Sequence, residues 1–294
     1  KEVHYLYHVL KWSKRLIVVT GAGVSVAAGI PDFRSAQGLF SGNVKATGGR
    51  RGKEMFDAHV VNKDSESVHD YLAMITKLSQ ACASARSTPT QFHKFIADIA
   101  LSGRLSRLYT QNIDDIESEF DALKPRVPLS AESKTVQLHG SITKVYCSKC
   151  SYIGDYNAEL FETEAALNEY PACPECLELD SVRAVAGKRQ QGSGVLRPRI
   201  VLYNELNNDS EQIGLITEKD LKSRPDGLIV VGTTLRIPGV RRMVRELSKA
   251  IHATAPATGG CIYINDEIES ISVEMDACFD LVVKGDCQAI PQLL

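Results

Sequence analysis

The sequence predicts an α/β fold built around a doubly wound parallel sheet. Three features of the 294 residues support this prediction: short apolar runs rich in Val and Ile, amphipathic stretches between them, and two long segments that interrupt the alternation. Strands that alternate with helices form a parallel sheet covered by helices on both faces. The interrupting segments are then insertions into the domain that contains the sheet.

Six short runs are the predicted strands of this sheet. Each is apolar on both faces, as expected for strands buried between two layers of helices. The runs cover residues 15–20, 104–110, 135–138, 227–232, 261–264 and 279–283. The helical spacing of apolar residues predicts helices at residues 67–80, 90–101 and 238–252.

The two segments without this rhythm divide the chain into three parts. Residues 41–65 are rich in Gly and charged side chains, and residues 147–193 contain paired cysteines and acidic side chains. We therefore expect a discontinuous large domain, a loop with a helical module, and a third module. The predicted ranges are 1–40, 102–142 and 195–294 for the large domain, 41–101 for the loop and helical module, and 143–194 for the third module.

The bulk composition argues against a strong general attraction to nucleic acid or membrane. The net charge is −2, and 44% of the residues are hydrophobic and 24% charged, which is ordinary for a globular protein. The longest apolar runs, such as residues 228–231, are far shorter than the ~20 residues that span a bilayer. No apolar signal segment is visible in residues 1–10.

Four of the eight cysteines form two C-x2-C pairs separated by 22 residues. The pairs are Cys147 with Cys150 and Cys173 with Cys176. Four thiolates at this spacing are typical of a closed tetrahedral zinc site, which leaves no ligand position open for a catalytic water. We therefore predict a structural Zn²⁺ in the third module and a reducing compartment for the protein.

Small and polar residues follow several of the predicted strands, where doubly wound sheets bind their ligands. The G-A-G sequence at residues 21–23 suits the close approach of a pyrophosphate, although a plain strand-to-helix turn is an equal alternative. Residues 111–114 (Q-N-I-D) offer amide and carboxylate groups to a ligand, although such a string is more often a helix cap. His139 suits general base catalysis, although a single histidine is more often structural.

Taken together, these motifs resemble one family, the sirtuins. The resemblance extends over about residues 16–287 and implies a Rossmann-like doubly wound sheet with an inserted zinc-ribbon module and a small helical module. It also implies that a substrate peptide binds between the large and small domains. The matching motifs are residues 21–35 (GAGVSVAAGIPDFRS), 110–114 (TQNID), 139–140 (HG), the four cysteines, residues 232–235 (GTTL) and Asn265.

The resemblance implies roles for individual residues. His139 would be the general base, and Asn112 a second catalytic residue that also binds NAD. The residues expected to bind NAD are Gly21, Ala22, Gly23, Asp32, Phe33, Arg34, Gln111, Asn112, Asp114, Gly232, Thr233, Thr234, Asn265, Asp266 and Cys287. The residues expected to bind the peptide are Val201, Tyr203 and Asn204.

The reaction that the resemblance implies is NAD-dependent deacetylation of protein lysine, which releases nicotinamide and O-acetyl-ADP-ribose. The acetyl oxygen attacks the ribose carbon as nicotinamide leaves, and His139 assists the later attack of a ribose hydroxyl. Residues 52–57 and 107–112 are most similar to the fungal nuclear branch. That similarity implies acetylated histone H3 as the substrate and the nucleus, with the cytoplasm second, as the location. No direct nucleic-acid or membrane partner is expected.

Two other functions are compatible with the same residues. ADP-ribosyl transfer to a protein side chain would use Gln111, Asn112 and Asp114 equally well, and a catalytically silent NAD-binding scaffold would need no base. A hydride-transferring oxidoreductase is disfavoured because the sequence lacks G-x-G-x-x-G and its acidic partner.

Three positions depart from the usual sirtuin pattern. Asn204 and Asp115 each stand where Gly is common, and Thr234 stands where Ser is common. Asn204 lies in the expected peptide-binding segment, so this departure affects how a peptide would dock there.

Overall fold

The computed structural model describes residues 2–30, 54–165, 169–255, 259–268 and 272–293. The helices are α1 Glu2–Trp12, α2 Ala58–Val61, α3 Ser65–Arg86, α4 Gln91–Leu101, α5 Ala158–Ala165, α6 Pro174–Val185, α7 Ser210–Lys222, α8 Pro238–Thr254 and α9 Val273–Asp276. The strands are β1 Leu16–Thr20, β2 Leu105–Thr110, β3 Thr135–Gln137, β4 Gly140–Cys147, β5 Ile153–Asp155, β6 Leu196–Ile200, β7 Gly227–Val231, β8 Gly260–Asn265 and β9 Leu281–Lys284.

The six predicted strands form one sheet in the order β3-β2-β1-β7-β8-β9. Every neighbouring pair in this sheet is parallel. Counted along the chain, the order is 3-2-1-4-5-6, the arrangement of dinucleotide-binding doubly wound sheets. All five residues of β1 and all five of β7 are buried, because helices cover both faces. The predicted α/β fold is therefore confirmed.

The three predicted helices are present as α3, α4 and α8. Side-chain caps fix two of their starts: the Asp64 carboxylate accepts the Ser67 N–H before α3, and the Thr90 hydroxyl accepts the His93 N–H before α4. Pro238 occupies the first turn of α8, where its missing N–H leaves no donor unpaired. The helix α3 runs beyond the predicted 67–80 range at both ends.

A second, smaller lobe combines α3 with a sheet of three strands. Its sheet is antiparallel in the order β5-β4-β6. One apolar core joins this sheet to α3, with Tyr71 and Ile75 of the helix buried in the same cluster as Ile142 and Phe161. The helical and cysteine-containing segments therefore share one core.

The boundaries between the parts differ from the predicted ranges. The helix α4 was assigned to the helical module, yet Phe92 and Ile96 pack with Val18 and Leu108 of the parallel sheet. The strand β6 was assigned to the large domain, yet it pairs with β4 of the small sheet. Periodicity identifies a helix or a strand, whereas the partner of its apolar face is set by the tertiary fold.

None of the described helices combines the length and apolar character needed to cross a bilayer.

Candidate functional site

A cavity of about 550 Å³ opens at the carboxyl ends of the parallel strands. The cavity lies at the ends of the neighbouring strands β1 and β7. The strand order reverses between these two strands, and the loops that follow them therefore run to opposite sides. This is the position at which doubly wound sheets bind nucleotides. Five strand ends contribute lining residues: Gly21, Gln111, His139, Gly232 and Asn265.

The G-A-G turn lies directly against the end of β7. The Gly21 N–H donates to the Val231 carbonyl at 3.0 Å, and the Gly23 N–H donates to the Gly232 carbonyl at 2.9 Å. A Cβ atom on Gly21 would lie 2.6 Å from the Gly232 carbonyl oxygen, so this position admits only glycine without a shift of the backbone. The residues after this turn form two short 3-10 helices, Ala22–Val24 and Val26–Ala28.

Gln111 joins three strand ends through one amide. Its Nε2 donates to the Thr20 carbonyl at 3.2 Å and to the Thr233 hydroxyl at 3.0 Å. The Tyr263 hydroxyl in turn donates to the Thr233 carbonyl at 2.7 Å. These bonds hold the ends of β1, β2, β7 and β8 together beneath the cavity.

Asn112 presents a buried acceptor atom that has no partner among the described residues. Its Nδ2 donates to the Ser25 hydroxyl at 3.0 Å, and its main-chain N–H donates to the Thr110 hydroxyl at 3.1 Å. Its Oδ1 is buried and accepts no hydrogen bond from the described residues. Because buried polar atoms are nearly always paired, this orphaned acceptor fits a ligand that donates a hydrogen bond, such as a carboxamide.

His139 is held in one orientation at the cavity wall. Its Nδ1 lies 2.8 Å from the Gln111 carbonyl oxygen. A carbonyl can only accept, so Nδ1 carries the proton and Nε2 is the acceptor nitrogen. Burial lowers the pKa of His139 from 6.5, and the hydrogen bond to the Gln111 carbonyl opposes this effect. The ring is therefore neutral near pH 7 and able to accept a proton.

Three carboxyl groups lie behind this wall. Asp114, one of the residues expected to bind NAD, is buried next to Ser25 and does not line the described cavity. Asp115 accepts hydrogen bonds from Gln137 at 2.7 Å and from Thr143 at 2.9 Å. Glu117 was not identified from the sequence; burial, followed by the nearby Asp114 carboxyl, raises its pKa from 4.5 to about 8.

The remaining NAD-site predictions fall in three groups. Ala22, Thr234, Asn265 and Asp266 line the cavity. Cys287 does not line it; the thiol is buried behind the G-A-G turn, 4.0 Å from the Gly23 carbonyl. Asp32, Phe33 and Arg34 lie outside the described residues.

The expected peptide-binding segment also borders the cavity. Val201, Tyr203 and Asn204 all line the cavity. The segment is hydrogen-bonded to His139, whose carbonyl accepts the Val201 N–H at 3.0 Å. Phe56 also lines the cavity, and no sequence signal identified it because it follows a Gly-rich segment without periodicity.

The four predicted zinc ligands converge in the small lobe. The Sγ atoms of Cys147 and Cys176 are 3.8 Å apart, and those of Cys150 and Cys173 are 3.7 Å apart. Zn–S bonds of about 2.3 Å in a tetrahedron place sulfur atoms ~3.8 Å apart, whereas a disulfide needs about 2 Å. All four ligand atoms lie within 4.8 Å of one another, so the donor set fits a closed structural Zn²⁺ site.

The chain is similar to known proteins over most of its length. The Sir2 family model matches residues 21–238. The chain is 42% identical over 300 residues to the NAD-dependent protein deacetylase hst4 of Emericella nidulans, covering 99% of this chain and 48% of that protein. It is 41% identical to the NAD-dependent histone deacetylase HST4 of Saccharomyces cerevisiae, covering 100% of this chain and 79% of that protein. The hst4 protein of Schizosaccharomyces pombe is 44% identical over 96% of this chain and 66% of its own length.

Solved structures agree on the fold. A Sir2–p53 peptide–NAD⁺ complex superposes with a TM-score of 0.66 at 20% identity, covering 99% of this chain and 96% of that one. A Sir2 homologue with 2′-O-acetyl ADP ribose superposes with a TM-score of 0.69 at 21% identity, covering 99% of this chain and 94% of that one. The family match spans most of the chain, and the relatives share its full length at above 40% identity. The chain therefore belongs to the Sir2 family.

Proposed function

We propose that this chain is an NAD-dependent protein lysine deacetylase that acts on acetylated histone H3. The observation that carries the proposal is His139, a neutral imidazole that is held through Nδ1 and lines a cavity formed by five strand ends. The relatives named as NAD-dependent deacetylases support the same activity. The chain spans about half the length of the first of them, so activity and substrates of the whole protein are part of this proposal.

NAD, when bound, supplies the ribose carbon that receives the acetyl oxygen and the nicotinamide that leaves. In this proposal Gly21 and Gly23 let the phosphates approach the backbone. The orphaned Asn112 Oδ1 accepts a hydrogen bond from the nicotinamide carboxamide. His139 Nε2 takes a proton from a ribose hydroxyl, while the Gln111 carbonyl keeps the proton on Nδ1.

The substrate class and location follow from the relatives and are proposed with the activity. The Saccharomyces cerevisiae relative is named a histone deacetylase, which supports a chromatin substrate for this chain. Histone H3 and a nuclear location are the specific forms of that proposal. The cofactor roles of Asp32, Phe33 and Arg34, which lie outside the described residues, are proposed from the motif at residues 21–35 that resembles the sirtuins.

The test is a mass-spectrometric time course with purified protein, NAD and acetylated histone H3 peptides. We expect one O-acetyl-ADP-ribose for each deacetylated lysine, and a loss of at least ~100-fold in kcat with His139→Ala. His8→Ala is the matched control, because His8 is exposed on α1. ADP-ribose attached to protein would favour the transferase, and NAD left intact with every acyl peptide would favour the silent scaffold.

A further inference from the structure

Two segments that are far apart in the sequence are hydrogen-bonded to each other beside the cavity. The Tyr203 N–H donates to the Phe56 carbonyl at 2.7 Å, and the Ala58 N–H donates to the Tyr203 carbonyl at 3.0 Å. These bonds form a single parallel bridge between Asp57 and Tyr203. A third bond follows one residue later, where the Asn204 Nδ2 donates to the Asp57 Oδ2 at 2.8 Å.

The backbone at Asn204 is in the left-handed region, with φ of 62°. Asn adopts this conformation more readily than other residues with a side chain, but at some cost relative to glycine. The bond to Asp57 favours this conformation, because it fixes the side chain of Asn204 on a rigid acceptor. Asp57 is rigid since its other oxygen, Oδ1, accepts the His59 N–H as the N-cap of α2.

The main chain of Asn204 is available to a ligand. Within the ranges that the structure describes, no hydrogen bond uses its N–H or its carbonyl. Asn204 lines the cavity, and three residues earlier the Val201 N–H is bound to the His139 carbonyl. The segment is therefore fixed at one end to the proposed base and at the other end to the N-cap of α2.

We propose that the Asn204–Asp57 hydrogen bond is a positioning contact that fixes the free main-chain edge of Asn204 for the backbone of the substrate peptide. An extended peptide binds to such an edge through main-chain hydrogen bonds, and its register then depends on where the edge is held. The inference rests on the proposed function. Asp57 acts through Asn204 and is itself a positioning residue.

A cycle of four proteins tests this contact. Asn204→Asp tolerates the left-handed backbone but sets two carboxylates against each other. Asp57→Asn alone keeps the N-cap, and the amide of Asn204 can turn to accept from it. The double variant Asp57→Asn with Asn204→Asp restores a donor opposite an acceptor. Asn208→Asp is the matched control, because it adds the same charge at an exposed position nearby.

We expect Asn204→Asp to raise KM for the acetylated peptide on the order of three- to tenfold, the range of one hydrogen bond, with a smaller change in kcat and none in KM for NAD. Three other proteins are expected to keep a KM for the peptide near that of the wild type. They are the double variant, the single variant Asp57→Asn and the control Asn208→Asp. Hydrogen exchange of the Ala58 amide is measured in parallel. We expect it to be faster than in the wild type only in the single variant Asn204→Asp. Faster exchange with an unchanged peptide KM, or no rescue in the double variant, overturns the proposal.

The readouts also separate this inference from the proposed function. If the wild-type protein deacetylates no peptide, the proposed function is wrong, and a substrate role for the contact falls with it. If the wild type deacetylates and the four proteins share one peptide KM, the function stands and the positioning role is refuted.

Discussion

His139 illustrates how a single hydrogen bond selects the chemistry of a side chain. The Gln111 carbonyl can only accept, so the histidine tautomer follows from the position of one backbone oxygen. The residue type and its place after a strand are visible in the sequence. The tautomer is not, because Gln111 lies 28 residues away along the chain.

The lowered pKa of His139 predicts the pH dependence of the reaction. Burial is the cause, and it depresses the folded-state pKa below 6.5, so the ring stays neutral until the pH falls below that value. We expect kcat/KM to be flat from about pH 7 upward and to fall only in acid, with an apparent midpoint below 6.5. The measurement is a profile of kcat/KM for the acetylated peptide between pH 5 and pH 9. An acid limb centred above pH 7 would contradict a buried, neutral base.

The pKa of Glu117 is shifted in the opposite direction from that of His139. Its folded-state pKa of about 8 lies above the ordinary value of 4.5, because it is buried and faces the Asp114 carboxyl. Between these two pH values the folded chain binds more protons than the unfolded chain, so stability falls as the pH rises.

Glu117→Gln therefore removes a pH-dependent loss of stability. Relative to wild type, we expect its free energy of unfolding to rise by on the order of 2–4 kcal/mol between pH 4.5 and pH 7.5. Urea unfolding at both pH values measures the change. Glu119→Gln is the control, because Glu119 is exposed in the same turn. A difference between wild type and Glu117→Gln that is the same at both pH values would show that Glu117 titrates normally.

Two departures from glycine have a common explanation. Asp115 and Asn204 have φ of 64° and 62°, the left-handed region that glycine adopts freely. Each side chain is hydrogen-bonded across the structure, Asp115 to Gln137 and Thr143 and Asn204 to Asp57. At both positions the backbone keeps the left-handed conformation, and the side chain adds a hydrogen bond that glycine could not make. In the sequence these two residues are visible only as departures from the usual glycine.

At the scale of elements, the cysteine site organises the small lobe. Cys147 ends β4, and Cys173 is the N-cap of α6, so one metal would join a strand to a helix. The cysteines belong to the same apolar cluster as Tyr71 of α3 and Ile200 of β6. Loss of the metal would therefore loosen the helical segment as well as the cysteine-containing one.

Zinc removal is expected to destabilise this lobe. Cys147→Ser removes one ligand, and we expect the bound zinc to be lost and stability to fall by several kcal/mol, or ~5–10 °C in Tm. Metal analysis and thermal unfolding, with and without a chelator, measure both effects. Cys278→Ser is the control, since Cys278 lies outside the quartet. Full zinc content in Cys147→Ser would contradict the four-cysteine site.

The sequence predicted the helices and strands of the large sheet better than it predicted which elements pack against one another. Each predicted strand is present to within two residues, because apolar β-branched runs bounded by polar residues have few other uses. The packing of α4 on the parallel sheet and the pairing of β6 with β4 were not predicted. Both depend on which apolar faces meet, and many faces in this chain have similar composition.

For the whole molecule, the order of the strands decides where the site lies. The chain reverses direction across the sheet after β3, so β1 and β7 become neighbours although more than 200 residues separate them. That neighbourhood brings the G-A-G turn against Gly232 and Thr233. The cavity and its polar residues are a consequence of this topology.

The sequence by itself determined the α/β class, the six strands, the four cysteines and the residue types at the strand ends, because these depend on local periodicity and short spacing. Tertiary structure decided which strand ends meet, which nitrogen of His139 is free, and that Asp114 and Cys287 lie behind the cavity wall. It also decided that Asn204 meets Asp57. Such contacts join residues far apart in the chain, and they form only when the whole sheet and the small lobe pack together.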